Sequence, residues 1–190
     1  HKSKDSIYIV HNGIIENYVA LRESLINDGY EFASQTDSEL IAHLLDLYIN
    51  QGNSMTDAMY LAKEKLEGAY AIAAIDIKDD SNLVVARNKS PLLIGLGTDE
   101  MFAASDPLAI AQMTNDFIFL EDGDVAEISA EAYRIFDASK KEVTREVTHI
   151  DISNQATSKA ITGITWKKKS MSNLKQYQTQ SMEELGERMS

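Results

Sequence analysis

Two short stretches carry residue types suited to acyl chemistry. The first is IYIVHNGIIEN, residues 7–17, in which an apolar run of strand type leads into His11-Asn12-Gly13. A side-chain amide next to a glycine N–H is a donor pair of the kind that stabilises a tetrahedral oxyanion, and Asn12 and Gly13 supply such a pair. The second is Thr36-Asp37-Ser38-Glu39, where Asp37 offers a carboxylate to the ammonium of an amino-acid substrate. Each stretch also has a purely structural reading. Asn12-Gly13 makes a strand-to-helix turn in which glycine takes a positive φ. Residues 36–39 make a helix N-cap with acids in the first turn, where the helix dipole favours them. Spacing alone leaves both readings open.

Other chemistries find little to work with. The 190 residues contain no cysteine, which excludes a disulfide framework, thiolate metal sites and a cysteine nucleophile within this stretch. His43 falls in a helical stripe and His149 near a strand end, and both read as structural. No metal-binding, phosphate-loop or dinucleotide motif is present, and Gly95 and Gly97 lie inside a strand pattern, so neither a metal nor an organic cofactor is expected.

The elements that must hold these residues follow from periodicity. Ile14, Ile15, Tyr18, Leu21, Leu25 and Ile26 recur at helical spacing before Gly29, predicting a helix that begins just after Gly13. A second helix runs from the cap at 36–39 through Leu40, Leu44 and Tyr48, and a third from Ser54 to about Leu66. From Ala69 the texture is that of strands: AYAIAAID, LVVAR, PLLIGLG, MFAAS, FIFL, VAEIS and AYRIFD, with a short helical piece at PLAIAQM. Most of these strands are apolar on both alternations, as strands covered on two faces are. Stacked layers follow, an α+β fold with helices on one side and at least seven strands.

Composition is that of an ordinary globular domain, 44% hydrophobic and 25% charged. No apolar run approaches the ~20 residues that span a bilayer, and the start does not resemble a signal peptide, so a cytoplasmic protein is expected. The net charge is −12, with 13 Lys/Arg against 27 Asp/Glu over residues 1–159 and 5 against 3 over 160–190. An acidic body without a basic stripe argues against nucleic acid and anionic membrane as partners.

Six strings together resemble one family: VHNGIIENY (10–18), TDSELIAHL (36–44), LEGAYAIAAID (66–76), ARNKSPLLIGLG (86–97), ASDPLAI (104–110) and FLEDGDVAEI (119–128). In order and content they resemble the glutaminase domain of the glucosamine-6-phosphate synthase family, a branch of the class II amidotransferases. The resemblance implies a partial N-terminal-nucleophile fold, an αββα four-layer sandwich, over residues 1–150. It implies that Asn12 and Gly13 are the oxyanion donors, that Asp37 holds the α-ammonium of L-glutamine, and that an isomerase domain is the partner of the intact enzyme. In the family a cysteine at the mature N-terminus attacks the glutamine amide, with its own α-amino group as base. That cysteine and two further pocket motifs precede the region matching His1, so the chain is expected to begin inside the domain and not to hydrolyse glutamine alone. Lost strands would leave sheet edges or apolar faces open, and self-association is expected. Two rivals stand beside this reading, a noncatalytic amino-acid-binding or assembly module of the same fold and the glutaminase half of an amidotransferase with another acceptor.

The resemblance stops after Lys159. With Trp166 written TGG, Met171 written ATG and permitted codons elsewhere, one base added in the Lys159 codon makes the same DNA read KGHYRHYMEKEIYEQSK, which is again family-like. Residues 160–190 are therefore expected to be a frameshifted translation, and residues 151–190 a poorly ordered linker and tail.

Overall fold

A computed structural model describes residues 2–3, 6–151 and 163–167. Two strands, β1 (Lys2–Ser3) and β2 (Ile7–Ile15), precede three helices, α1 (Tyr18–Asn27), α2 (Asp37–Asn50) and α3 (Met55–Lys65). The helix expected to start just after Gly13 instead starts at Tyr18, because Ile14 and Ile15 continue the strand. They do so because β2 pairs without a break with β3 (Gly68–Asp76), Gly13 opposite Tyr70 and Ile15 opposite Gly68. Two glycines make that approach possible. Gly13 and Gly68 have φ of +134° and +132°, and a Cβ would lie 2.1 Å from the Ala69 carbonyl oxygen at the first and 2.2 Å from that of Ile14 at the second.

The helix signals act through different atoms. Ser54 caps α3 by accepting from the Asp57 N–H at 3.1 Å. Thr36 occupies the N-cap of α2 without a side-chain bond to the helix, so the capping chemistry read from 36–39 is not what its side chains do. Glu39 reaches backwards instead, accepting from the N–H groups of Ala33 (2.8 Å) and Ser34 (2.7 Å) and from the Ser34 hydroxyl (2.6 Å). Burial would raise its pKa, but those donors, with His43, bring it below the usual 4.5.

The further strands among the described residues are β4 (Asp79–Asn88), β5 (Leu93–Leu96), β6 (Glu100–Ala104), β7 (Asp116–Phe119), β8 (Val125–Ile128), β9 (Tyr133–Phe136), β10 (Glu142–Val143), β11 (Val147–His149) and β12 (Gly163–Lys167). They form two antiparallel sheets, β1-β2-β3-β4-β8-β9-β10 and β11-β7-β5-β6-β12. The helical piece expected at PLAIAQM is a single 3-10 turn, Pro107–Ile110, between β6 and β7. β12 lies in the tail expected to be poorly ordered and pairs along β6, Gly163 opposite Ala104 and Lys167 opposite Glu100. The remainder of that expectation, like most of the frameshifted stretch, falls on 152–162 and 168–190, outside the described residues.

Period-two alternation sorts the strands' side chains between two cores. Tyr70, Ile72 and Ala74 of β3, with Val84 and Ala86 of β4, pack under Leu40, Leu44 and Leu45 of α2 and Ala58 and Met59 of α3. Ala71, Ala73, Leu83 and Val85 point the other way, against Ile94, Met101, Ala103 and Ile118 of the second sheet. On that sheet's far face Leu93, Phe102 and Phe117 meet Ile110 of the 3-10 turn. The layers are therefore helix, sheet, sheet and a short fourth, the partial αββα sandwich that the resemblance implies.

Candidate functional site

Asp37, Asn12 and Gly13 belong to one corner, where the end of β2 meets the first turn of α2. The carboxylate of Asp37 accepts from the Ile15 N–H at 3.0 Å through Oδ2, while its Oδ1 lies 3.6 Å from Nδ1 of His11. The two residues that hold it thus flank Asn12-Gly13. The β2–β3 register has no bulge, so Gly13 has the same parity as Ile15, whose N–H leaves the ladder towards Asp37. That parity turns the Gly13 N–H to the same free edge, beyond the last residue that β1 pairs.

The two faces of β2 differ. His11 shares a face with Ile7, Ile9 and Ile15, and its ring is covered by the helical layer, with 2% of the side chain exposed. Its Nδ1 is 3.1 Å from the Ser38 hydroxyl, and its Nε2 is buried without a hydrogen-bond partner among the described residues. Asn12 lies on the opposite face between Val10, 46% exposed, and Ile14, 69% exposed. Both Asn12 and Gly13 are exposed. The Asp37 side chain is 26% exposed, and among the described residues no lysine or arginine pairs with it. A carboxylate free of cations beside a free N–H edge and an open side-chain amide suits a zwitterionic ligand with an acyl group.

Residue type and spacing name Asn12, Gly13 and Asp37 as candidates and assign no role to His11 and Ile15, which face the Asp37 carboxylate. The signal for His11 was its parity with Ile9 and Ile15, which puts a polar ring on a buried face. Asn17 was missed as well: its Oδ1 accepts from the Glu67 N–H at 3.1 Å and its Nδ2 donates to the Lys65 carbonyl at 2.7 Å, fastening the start of α1 to the end of α3. His43 and His149 are placed as structural residues. The first is buried with Nδ1 2.8 Å from the Ser3 hydroxyl, its ring against Tyr30 and Phe32, and the second is exposed and paired with Asp116 at 2.7 Å.

The fold is similar to that of solved structures, a glutamine amidotransferase among them. One is the glutamine phosphoribosylpyrophosphate amidotransferase of B. subtilis complexed with ADP and GMP, with a TM-score of 0.61 and 25% identity, covering 72% of this chain and 30% of that one. Another is described as the allosteric regulatory enzyme of purine biosynthesis, with a TM-score of 0.61 and 26% identity, covering 72% and 30%. The fold is thus that of the N-terminal-nucleophile amidotransferases. Residues 1–112 match the glutamine amidotransferase domain, and the chain belongs to that family. Among its relatives are glutamine–fructose-6-phosphate aminotransferases (isomerizing): that of Vibrio parahaemolyticus is 46% identical over 156 residues, covering 82% of this chain and 25% of the relative. That of Idiomarina loihiensis is 47% identical over 156 residues, covering 82% and 26%. The chain spans about a quarter of the length of these curated relatives, over their glutaminase domain. Among the described residues no helix is long and apolar enough to cross a membrane.

Proposed function

We propose that this corner is the substrate half of a glutaminase site. Asp37 takes the α-ammonium of L-glutamine, while the Asn12 amide and the Gly13 N–H take the oxyanion formed when a thiolate adds to the side-chain amide carbon. Collapse of that intermediate, with the leaving nitrogen taking the proton that the thiol first gave to its own α-amino group, expels ammonia and leaves a thioester, which water cleaves to glutamate and the free thiol. The observation that carries the reading is the placement of Asp37, whose carboxylate accepts from the Ile15 N–H and lies 3.6 Å from His11, on either side of Asn12-Gly13.

The thiol must come from outside these 190 residues, which contain no cysteine. The chain alone therefore releases no ammonia from L-glutamine, whereas the chain joined to a relative's cysteine-bearing segment does. In the joined protein Asn12→Ala lowers kcat by about a hundredfold or more, and Asp37→Asn raises KM. Ammonia release by the chain alone, or an active joined protein indifferent to both substitutions, would overturn the reading. Glutamine affinity without turnover in the joined protein would support an amino-acid-binding or assembly module instead, a role to which the missing thiol is no obstacle.

For the intact protein we propose the reaction in the relatives' name, transfer of the glutamine amide nitrogen to fructose 6-phosphate, giving glucosamine 6-phosphate and glutamate without a metal or organic cofactor. An isomerase domain is the partner, the compartment is the cytoplasm, and Val10 and Ile14 support self-association of the chain alone. Product analysis with fructose 6-phosphate tests the acceptor, and sedimentation tests the association. The coding DNA tests the frameshift, which fails if no family-like reading follows the Lys159 codon.

A further inference from the structure

His11 is a polar ring on a buried face, and its two nitrogens have unequal surroundings. Nδ1 faces two oxygens, the Ser38 hydroxyl at 3.1 Å and Oδ1 of Asp37 at 3.6 Å. Nε2 is buried and without a hydrogen-bond partner among the described residues. A lone pair on Nδ1 would lie 3.6 Å from a carboxylate oxygen and be repelled by it, so the proton belongs there. A second proton, on Nε2, would be a buried donor with no acceptor, and burying such a donor is expensive. The surroundings therefore select one state of three, the neutral ring with hydrogen on Nδ1.

We propose that His11 is the positioning residue for the ammonium-binding carboxylate: a neutral Nδ1–H imidazole that fixes Ser38 and Asp37 at the start of α2 while leaving the charge of Asp37 unneutralised. The inference rests on the glutaminase reading above and adds to it what orients Asp37 and why its charge is free for a ligand. A lysine or arginine at this distance would form an ion pair and compete with the substrate's ammonium, whereas a neutral donor holds the carboxylate's direction without cancelling its charge. The Ile15 N–H does the same from the other side, at 3.0 Å. Burial pushes the pKa of His11 below the usual 6.5, against the smaller upward pull of Asp37, in keeping with a neutral ring. Asp37 on α2 is the charged group that bears on it, Ser38 being a neutral partner.

Two measurements test this. Long-range proton–nitrogen spectra of the 190-residue chain at pH 7, with the ring assigned through His11→Asn, show an Nδ1–H neutral imidazole; an Nε2–H tautomer or an imidazolium overturns the proposal. In the joined protein, His11→Ala raises the KM for glutamine by about tenfold, as expected for losing the hydrogen bond to Ser38 that sets the first turn of α2, and changes kcat by less than about threefold. His11→Asn keeps a donor near the Nδ1 position and restores KM to within about twofold of the parent. Equal KM in all three proteins, or failure of His11→Asn to restore it when its melting temperature matches the parent's, sinks the proposal. Asp37→Asn run beside them separates the two levels. If it leaves KM unchanged, the glutaminase reading itself fails; if it raises KM while His11→Ala does not, only the role of His11 fails.

Discussion

Strands β2 and β3 are neighbours in one sheet, paired over nine residues, and both are rich in apolar side chains, yet they live in different surroundings. β3 is buried from Tyr70 to Ile75 on both faces, between the helical layer and the second sheet. β2 is covered on the helix side, while its other face carries Val10, Asn12 and Ile14 in the open. The second sheet packs on β3, β4, β8 and β9, and no residue of β2 belongs to that core. A strand closed on both faces gives stability. One closed on a single face gives a rigid backbone that presents polar groups along its open edge, and the candidate site is there.

The sharpest way to break this contrast is to remove volume where both faces are closed. Ile72 has no exposed surface, and Ile72→Ala is expected to destabilise by about 4 kcal/mol in urea unfolding. Gly68→Ala acts on the seam between the strands, where a Cβ would meet the Ile14 carbonyl at 2.2 Å and φ is +132°. It is expected to cost about 3 kcal/mol and to shift amide resonances of Gly13 to Ile15 as the strands part. Both values should far exceed those for β2's open face.

An intermediate effect is expected at Glu39, which anchors the loop before Asp37. Glu39→Gln removes the charge from three hydrogen bonds and should cost about 1.5 kcal/mol at pH 7. The carboxyl's pKa in the fold is below the usual 4.5, so its stabilisation is present above that pH and is lost as pH falls through the folded value. The gap between parent and variant, read by thermal melts from pH 7 down to pH 3, should therefore narrow on the acid side. A gap constant with pH would mean that the loss at Glu39→Gln is packing and not charge.

The smallest effects belong to the open face. Ile14→Thr, at a position 69% exposed, should change stability by less than about 0.5 kcal/mol. It should also lower any self-association of the chain measured by sedimentation. A loss comparable with that of Ile72→Ala would show that something covers β2 in solution and would erase the contrast.

Much of this was legible in advance, and the failures have identifiable causes. Most of the strands after Ala69 read as covered on two faces, and β3, β5 and β6 are, whereas Phe119 of β7 and Arg134 of β9 are exposed. The start of α1 was misjudged by a few residues because Ile14 and Ile15 fit a helical stripe and a strand equally well. What decides is Gly68, on a distant segment, whose missing Cβ lets β3 run alongside to the end of β2. The acids at 36–39 read as first-turn residues behind an N-cap, and Asp37 and Glu39 do stand in the first turn of α2. In the fold Asp37 is drawn to the Ile15 N–H and Glu39 to the loop at Ala33 and Ser34.

Sequence by itself determined the α+β class, the apolar surfaces that must be buried, the absence of any thiol in these residues and the identity of Asn12, Gly13 and Asp37 as candidates, since residue type and local periodicity suffice for each. Only the tertiary structure decided that the Asp37 carboxylate sits between His11 and Ile15, that the His11 ring turns inward and that one face of β2 stays open. Those facts depend on pairs far apart in the chain, brought together when β2, β3 and α2 share one core, and local preferences carry no information about such meetings.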